Sequence, residues 1–125
     1  MIYIYGSGIS RFLVETVSTP EELRLGLSGR TFLAPRQGML FVFPYNTIQS
    51  MWMKDMRFPI DIIWISEDRR ITKIYENVQP CVVPNECSKY SSETPVLYGL
   101  ELNAFDASRI GLHVGLQLNS SFFAI

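Results

Sequence analysis

The first periodic run of the chain lies at residues 12–17, where Phe12, Val14 and Thr16 alternate with Leu13, Glu15 and Val17. Its β-branched and aromatic content predicts a strand. The pattern breaks at Ser18-Thr19-Pro20-Glu21-Glu22. Thr19 can cap a helix, Pro20 suits the first helical position because its φ is preset, and Glu22 completes a capping box. Leu23 and Leu27 lie four apart and predict a buried stripe, and Gly29 supplies a left-handed stop, so the helix should run about two to three turns.

From Gly38 onward the pattern is that of strands. Met39-Leu40-Phe41-Val42-Phe43 is a continuous apolar run closed by the turn residues Pro44-Tyr45-Asn46. Met51-Trp52-Met53-Lys54, Ile60-Asp61-Ile62-Ile63-Trp64-Ile65 and Ile71-Thr72-Lys73-Ile74-Tyr75 follow, with Glu67, Asp68, Arg69 and Arg70 as the polar tip of a hairpin. Strands this close in sequence favour an antiparallel meander. Residues 78–95 hold three of the seven prolines and both cysteines without clear periodicity, and predict a long structured loop that is functional or constrained. Residues 96–102 return to strand, 104–110 predict a short helix stopped by Gly111, and 114–118 begin a last strand. No repeat or linker divides the chain. The expected architecture is one mainly β domain over residues 1–125, an antiparallel sandwich or distorted barrel with one or two short helices on its edge.

Composition excludes several classes. A length of 125 residues suits one domain, and 47% hydrophobic residues exclude disorder. Eleven Lys plus Arg against twelve Asp plus Glu leave a net charge of -1, so no whole-chain field favours nucleic acid or an anionic membrane. The longest apolar runs, residues 1–5 and 39–43, fall far short of the roughly 20 residues of a spanning helix. The opening residues also lack the basic and long apolar regions of a secretion signal. One histidine and two cysteines are too few for a four-ligand Cys/His zinc site, so no metal is expected, and no cofactor motif is present. His113, between Gly111 and Gly115, reads as a surface residue. Histidine-dependent nucleophilic catalysis would rest on it alone.

Asp61 interrupts an apolar strand. By alternation Asp61, Ile63 and Ile65 share one face, and Ile60, Ile62 and Trp64 the other. A carboxylate there must be paired or hydrogen-bonded. Lys54, Arg57 and Arg30 are the available cations, so Asp61 is part of a structural ion pair, a carboxylate that holds a turn's amides or, with Lys54, the floor of a polar site. Trp52 and Lys54 would share a strand face and could line a pocket mouth, or Trp52 and Met53 are core and Lys54 reaches water. Met39, Met51, Met53 and Met56 could in principle bind copper(I) with His113 or Cys81, but methionine more commonly fills irregular cores. Cys81 and Cys87 can close a small loop by a disulfide, with export as the corollary, or stay reduced in the cytosol. Asp61, Glu76 and Glu101 are the carboxyls that a two-carboxylate hydrolase, for example one acting on glycosides, could pair.

These blocks, in this order, resemble one family. Thr19-Pro20-Glu21-Glu22, Gly26-Leu27-Ser28-Gly29-Arg30, Gly38-Met39-Leu40-Phe41-Val42-Phe43, Trp52-Met53-Lys54, Pro59-Ile60-Asp61-Ile62-Ile63, then Cys81, Cys87 and Tyr90, and finally Leu100-Glu101-Leu102-Asn103 with Gly111-Leu112 and Val114-Gly115 look like the DUF192 family. The likeness covers about residues 12–118. It implies a compact, mainly antiparallel β fold with short helices, often in exported or periplasmic proteins, and no established activity. It marks Arg30, Trp52, Met53, Lys54, Asp61, Cys81, Cys87, Tyr90 and Glu101 as positions of interest. Three departures stand out: Asp55-Met56 follows Trp-Met-Lys where Asn-Thr is usual, Leu116 follows Val-Gly where Asp is common, and Cys81 is separated from Cys87 by its own loop sequence. The expectation is a non-enzymatic, exported module that binds a small polar ligand or a protein partner at a patch drawn from Arg30, Trp52, Met53, Lys54, Asp61, Tyr90 and Glu101. The hydrolase and a purely structural partner domain are the alternatives.

Overall fold

The computed structural model describes residues 2–5, 11–118 and 123–124. Its strands are β1 (Ile2–Tyr5), β2 (Arg11–Val17), β3 (Gln37–Thr47), β4 (Ser50–Trp52), β5 (Ile60–Ile65), β6 (Ile71–Val78), β7 (Lys89–Ser91), β8 (Val96–Asn103) and β9 (Phe123–Ala124). The helices are α1 (Pro20–Leu25) and α2 (Asp106–Arg109), with a 3-10 turn at Pro84–Glu86. The main sheet runs β6-β5-β8-β3-β2, β1 and β9 continue its β2 edge, and β4 and β7 form a separate ribbon. The fold is thus mainly β with two short helices, and the sheet stays open instead of closing into a barrel.

Two features replace the expected antiparallel meander. β2 and β3 run parallel, from Leu13 opposite Gln37 to Val17 opposite Phe41. A parallel pair needs a long crossover, usually helical, and residues 18–36 with α1 supply it. β8 also inserts between β3 and β5 instead of lying at an edge. Its run from Gly99 to Leu102 is buried, as a strand covered on both faces must be.

Local chemistry explains most element ends. Thr19 accepts the Glu22 amide at 3.2 Å, and Glu22 Oε1 accepts the Thr19 amide at 3.1 Å, so the capping box forms. α1 is shorter than two to three turns because Gly26, with φ 51°, caps it before Gly29 is reached. Leu27 is buried in the turn that follows, not on the helix. Pro44 does not end β3. The strand continues to Thr47 with a register shift between Val42 and Thr47, where a residue lacking an amide donor is tolerated. The predicted loop at 78–95 contains β7, which pairs with β4. The predicted strand at 114–118 is a loop that meets β6 through single bonds, among them the Gly115 amide to the Ile71 carbonyl at 2.8 Å.

Every residue of β5 is buried, and alternation sends its side chains into two cores. Ile63 and Ile65 join Val14, Leu40, Leu102 and Ile110 on the face covered by α2 and the segment after it. Ile60, Ile62 and Trp64 join Leu27, Met39, Phe41, Met53 and Met56 on the other. The methionines proposed for copper(I) thus fill this second core, Met51 from its margin.

Asp61 lies on the α2 face and is fully buried. Its Oδ1 accepts the amides of Asn77 at 2.9 Å and Phe105 at 3.0 Å, and its Oδ2 the amide of Ala107 at 2.9 Å. Asn77 and Phe105 both hold left-handed backbone, with φ of 54° and 71°, which is costly for a bulky aromatic. Burial raises the carboxyl above its ordinary range, and the three amide bonds pull against that. Asp61 is an anchor that takes the place of a side-chain cap for α2. Asp61→Ala strands three donors, so it should destabilise the fold by about 3 kcal/mol or more in urea unfolding. A loss below about 1 kcal/mol would mean that these amides find other partners without cost.

Candidate functional site

The second core carries a carboxyl of the opposite kind. Glu101 on β8 stands opposite Met39 of β3 and Ile62 of β5, so it projects onto the face that Asp61 avoids. It is 5% exposed, and no described residue gives it a hydrogen bond or an ion pair. Burial alone raises its pKa to about 8, leaving it largely protonated at neutral pH. The indole Nε1 of Trp64, on the same face, is fully buried without a hydrogen-bond partner among the described residues.

Two segments close over Glu101 and leave a cavity of about 190 Å³. On one side is the turn after α1. A side chain on Gly26 would begin 3.1 Å from the Phe41 ring and 3.9 Å from Glu101 Oε1, so glycine both makes the turn and keeps the carboxyl open. On the other side is β4, brought down by Gly99, where a Cβ would stand 2.8 Å from Met51 Cε. Leu23, Arg24, Ser28, Ser50, Trp52 and Met56 complete the walls. A second groove of about 220 Å³ shares Ser50, Met51 and Trp52 and is bounded by Lys89, which pairs with Trp52 across the ribbon.

The rim is fixed by backbone bonds. Met53 is buried, and its carbonyl accepts the amides of Met56 and Cys81, each at 3.2 Å. The Lys54 carbonyl accepts from Ser28 Oγ at 3.4 Å, and the Asp55 carbonyl accepts the Gly29 amide at 2.9 Å. Cys81 and Cys87 are joined by a disulfide. Residues 53–55 are therefore tied to the disulfide loop and to the glycine turn together. Lys54 lies in a turn, not on β4, yet its ammonium stands 5.3 Å from the centre of the half-exposed Trp52 ring.

The residues singled out from the sequence thus separate. Trp52 and Glu101 line one cavity, Lys54 joins them over the indole, and Met53 supports the rim from the core. Tyr90 backs β4 opposite Met51 and packs edge-on against Tyr75, outside the cavity lining. Arg30 pairs with Glu15 at 2.9 Å on the surface, a contact of little energetic weight. Asp61 lies on the opposite face, so the expected grouping of Arg30, Lys54 and Asp61 does not form. Nor do the three carboxyls share a cleft: Asp61 is saturated by amides, Glu76 is exposed on β6, and neither lines the cavity of Glu101. Arg24, Ser28 and Lys89 were not anticipated. The glycines flanking Leu27-Ser28 were the available signal, Gly29 having been read as a helix stop and the block Gly26–Arg30 as part of the family pattern. Among the described residues no group of three His, Cys, Asp or Glu is placed to hold a metal.

The family model of DUF192, described as "Uncharacterized ACR", matches residues 3–120. The chain belongs to the DUF192 family. Two solved structures share the DUF192 chain's fold over 91% of its length. One, from Sinorhizobium meliloti 1021, is 34% identical with a TM-score of 0.77 over 87% of that protein and is described as "a putative transcription regulator". The other, a protein of unknown function from Novosphingobium aromaticivorans DSM 12444, is 32% identical with a TM-score of 0.78 over 79% of its chain. No curated protein matches.

The state of Glu101 sets a pH dependence. Its folded pKa of about 8 lies above the ordinary 4.5, so the native DUF192 chain keeps a proton that the unfolded chain loses. Stability contributed by this group is complete below the unfolded value and falls as pH rises toward 8, by about 1.4 kcal/mol per pH unit. Urea unfolding from pH 5 to 8.5 should show this slope. Glu101→Gln, neutral throughout, should flatten it and be the more stable protein at pH 8; a variant that keeps the wild-type slope would place the proton elsewhere.

Proposed function

We propose that this chain is a non-enzymatic binding module whose site for a small polar ligand is the Trp52–Glu101 cavity. The observation that carries the reading is Glu101, a buried carboxyl without a described partner, aimed into a cavity with an exposed tryptophan at its rim. Burying an unpaired polar group costs stability, and such groups concentrate where a ligand completes them. The walls suit this role, combining the apolar side chains of Leu23, Phe41, Met51 and Met56 with convergent polar groups. Ser28 and Ser50 offer hydroxyls, and Trp52 offers a flat face. The size limits the occupant to a small molecule or one end of a larger one.

Export is part of the same proposal. The Cys81–Cys87 disulfide supports it, because such bonds persist in oxidising compartments. Among the described residues no helix is long and apolar enough to cross a membrane.

A fragment screen by NMR tests the site. Binders should shift the amides of Gly26, Ser28, Met51, Trp52 and Glu101, and Trp52→Ala should weaken them at least fivefold while the rest of the spectrum is preserved. If no fragment shifts these amides, or the shifts survive Trp52→Ala, the cavity is not the site. A thiol titration tests the compartment: native protein isolated without reductant should show no free thiol and two after reduction, and two reactive thiols at the outset would remove the support for export.

A further inference from the structure

We infer that the Trp52–Glu101 cavity takes a small planar organic anion, its flat part against Trp52, its charge toward Lys54, Lys89 and Arg24, and an oxygen in reach of Glu101. This rests on the reading of the cavity as a ligand site and adds the charge and shape of the occupant. The first support is the distribution of charge. Arg24 lines the cavity, Lys89 lines the adjoining groove, and Lys54 stands over the indole that borders both. None of the three has an ion-pair partner among the described residues, whereas Arg30, Lys73 and Arg109 do.

The second support is the isolation of Glu101. Facing it, β3 presents Met39 and Phe41, β5 presents Ile62, and β4 presents Ser50, Met51 and Trp52, none of them acidic or basic. Arg24 on α1 is the other charged residue of the lining. An isolated carboxyl with apolar neighbours holds its proton and donates a hydrogen bond, so an anion can approach the three cations without meeting a charge of its own sign. A cationic ligand would have to pass those cations and then strip the proton from Glu101. The third support is shape: the half-exposed indole of Trp52 borders a cavity of about 190 Å³ and offers a flat face on which a flat, unsaturated group can stack.

Benzoate, benzamide and benzylamine present one ring with negative, neutral and positive substituents, and each can be titrated while following the Trp52 indole resonance. Benzoate should bind tightest at pH 7, weaken about tenfold by pH 9 as Glu101 ionises, and weaken with added salt. Glu101→Gln should keep benzoate binding and abolish its pH dependence. Lys54→Gln with Lys89→Gln should weaken benzoate at least threefold and leave benzamide unchanged. Tighter binding of benzylamine, or equal and pH-independent binding of all three, overturns the anion assignment and leaves the cavity a ligand site. If none of the three shifts the Trp52 resonance, the assignment of a planar anion is overturned, while the ligand-site reading stands or falls by the fragment screen.

Discussion

The bond set around Asp61 is the constraint on which the rest of the fold depends. A single buried carboxylate gathers amides from the end of β6, from the turn after β8 and from the first turn of α2. Two of these amides belong to residues in left-handed backbone, a conformation Asn77 tolerates and Phe105 holds at a cost that the bond to Asp61 offsets. The chain must reverse after β8 within a few residues to lay α2 back on the sheet. Asp61 supplies the charge-assisted bonds that make this reversal stable. The α2 face is closed as a result, and its buried acids are both partnered, Asp61 by amides and Asp106 by Arg109.

That closure throws the other face into relief. Asp61 and Glu101 sit on neighbouring strands near one end of the sheet, yet alternation puts them on opposite sides with opposite fates. The first is surrounded by donors and the second by Phe41, Gly26 and the ribbon. Two acids differing by one step of strand register thus divide the labour: one organises backbone, and the other stays protonated and unpaired beside a cavity.

Much of this was legible in the chain, and the misses have physical causes. The strand at 60–65, its two faces and the need of Asp61 for partners followed from alternation and the cost of buried charge. What alternation could not tell is which partners. Backbone amides leave no trace in sequence, so an ion pair with Lys54, Arg57 or Arg30 and a carboxylate holding a turn's amides stood side by side as structural readings, and three main-chain donors fill the role. The capping box was readable because it is local; the parallel β2–β3 pair was not, since it depends on where a 19-residue crossover returns. Trp52 and Lys54 do meet, although through a turn rather than a shared strand face. Glu101 was readable as a candidate carboxyl but not as a buried one, since its burial depends on the packing of both sheet faces.

The cavity joins two kinds of structure, and the difference bears on how it can work. Its floor belongs to β8, held on both sides by β3 and β5, so Glu101 stands on the least yielding part of the molecule. Its rim belongs to the short β4–β7 ribbon and the turn at 53–55, which rest on a few bonds from Ser28, Gly29 and Cys81. The disulfide closes a loop with a sequence separation of 6, and chain-entropy arithmetic gives such a loop about 2 kcal/mol of stabilisation. Much of that restraint falls on the rim, because the Cys81 amide is bonded to the carbonyl between Trp52 and Lys54. A rigid acid below and a tethered aromatic above is the arrangement expected where the floor decides the chemistry of the occupant and the rim decides its access.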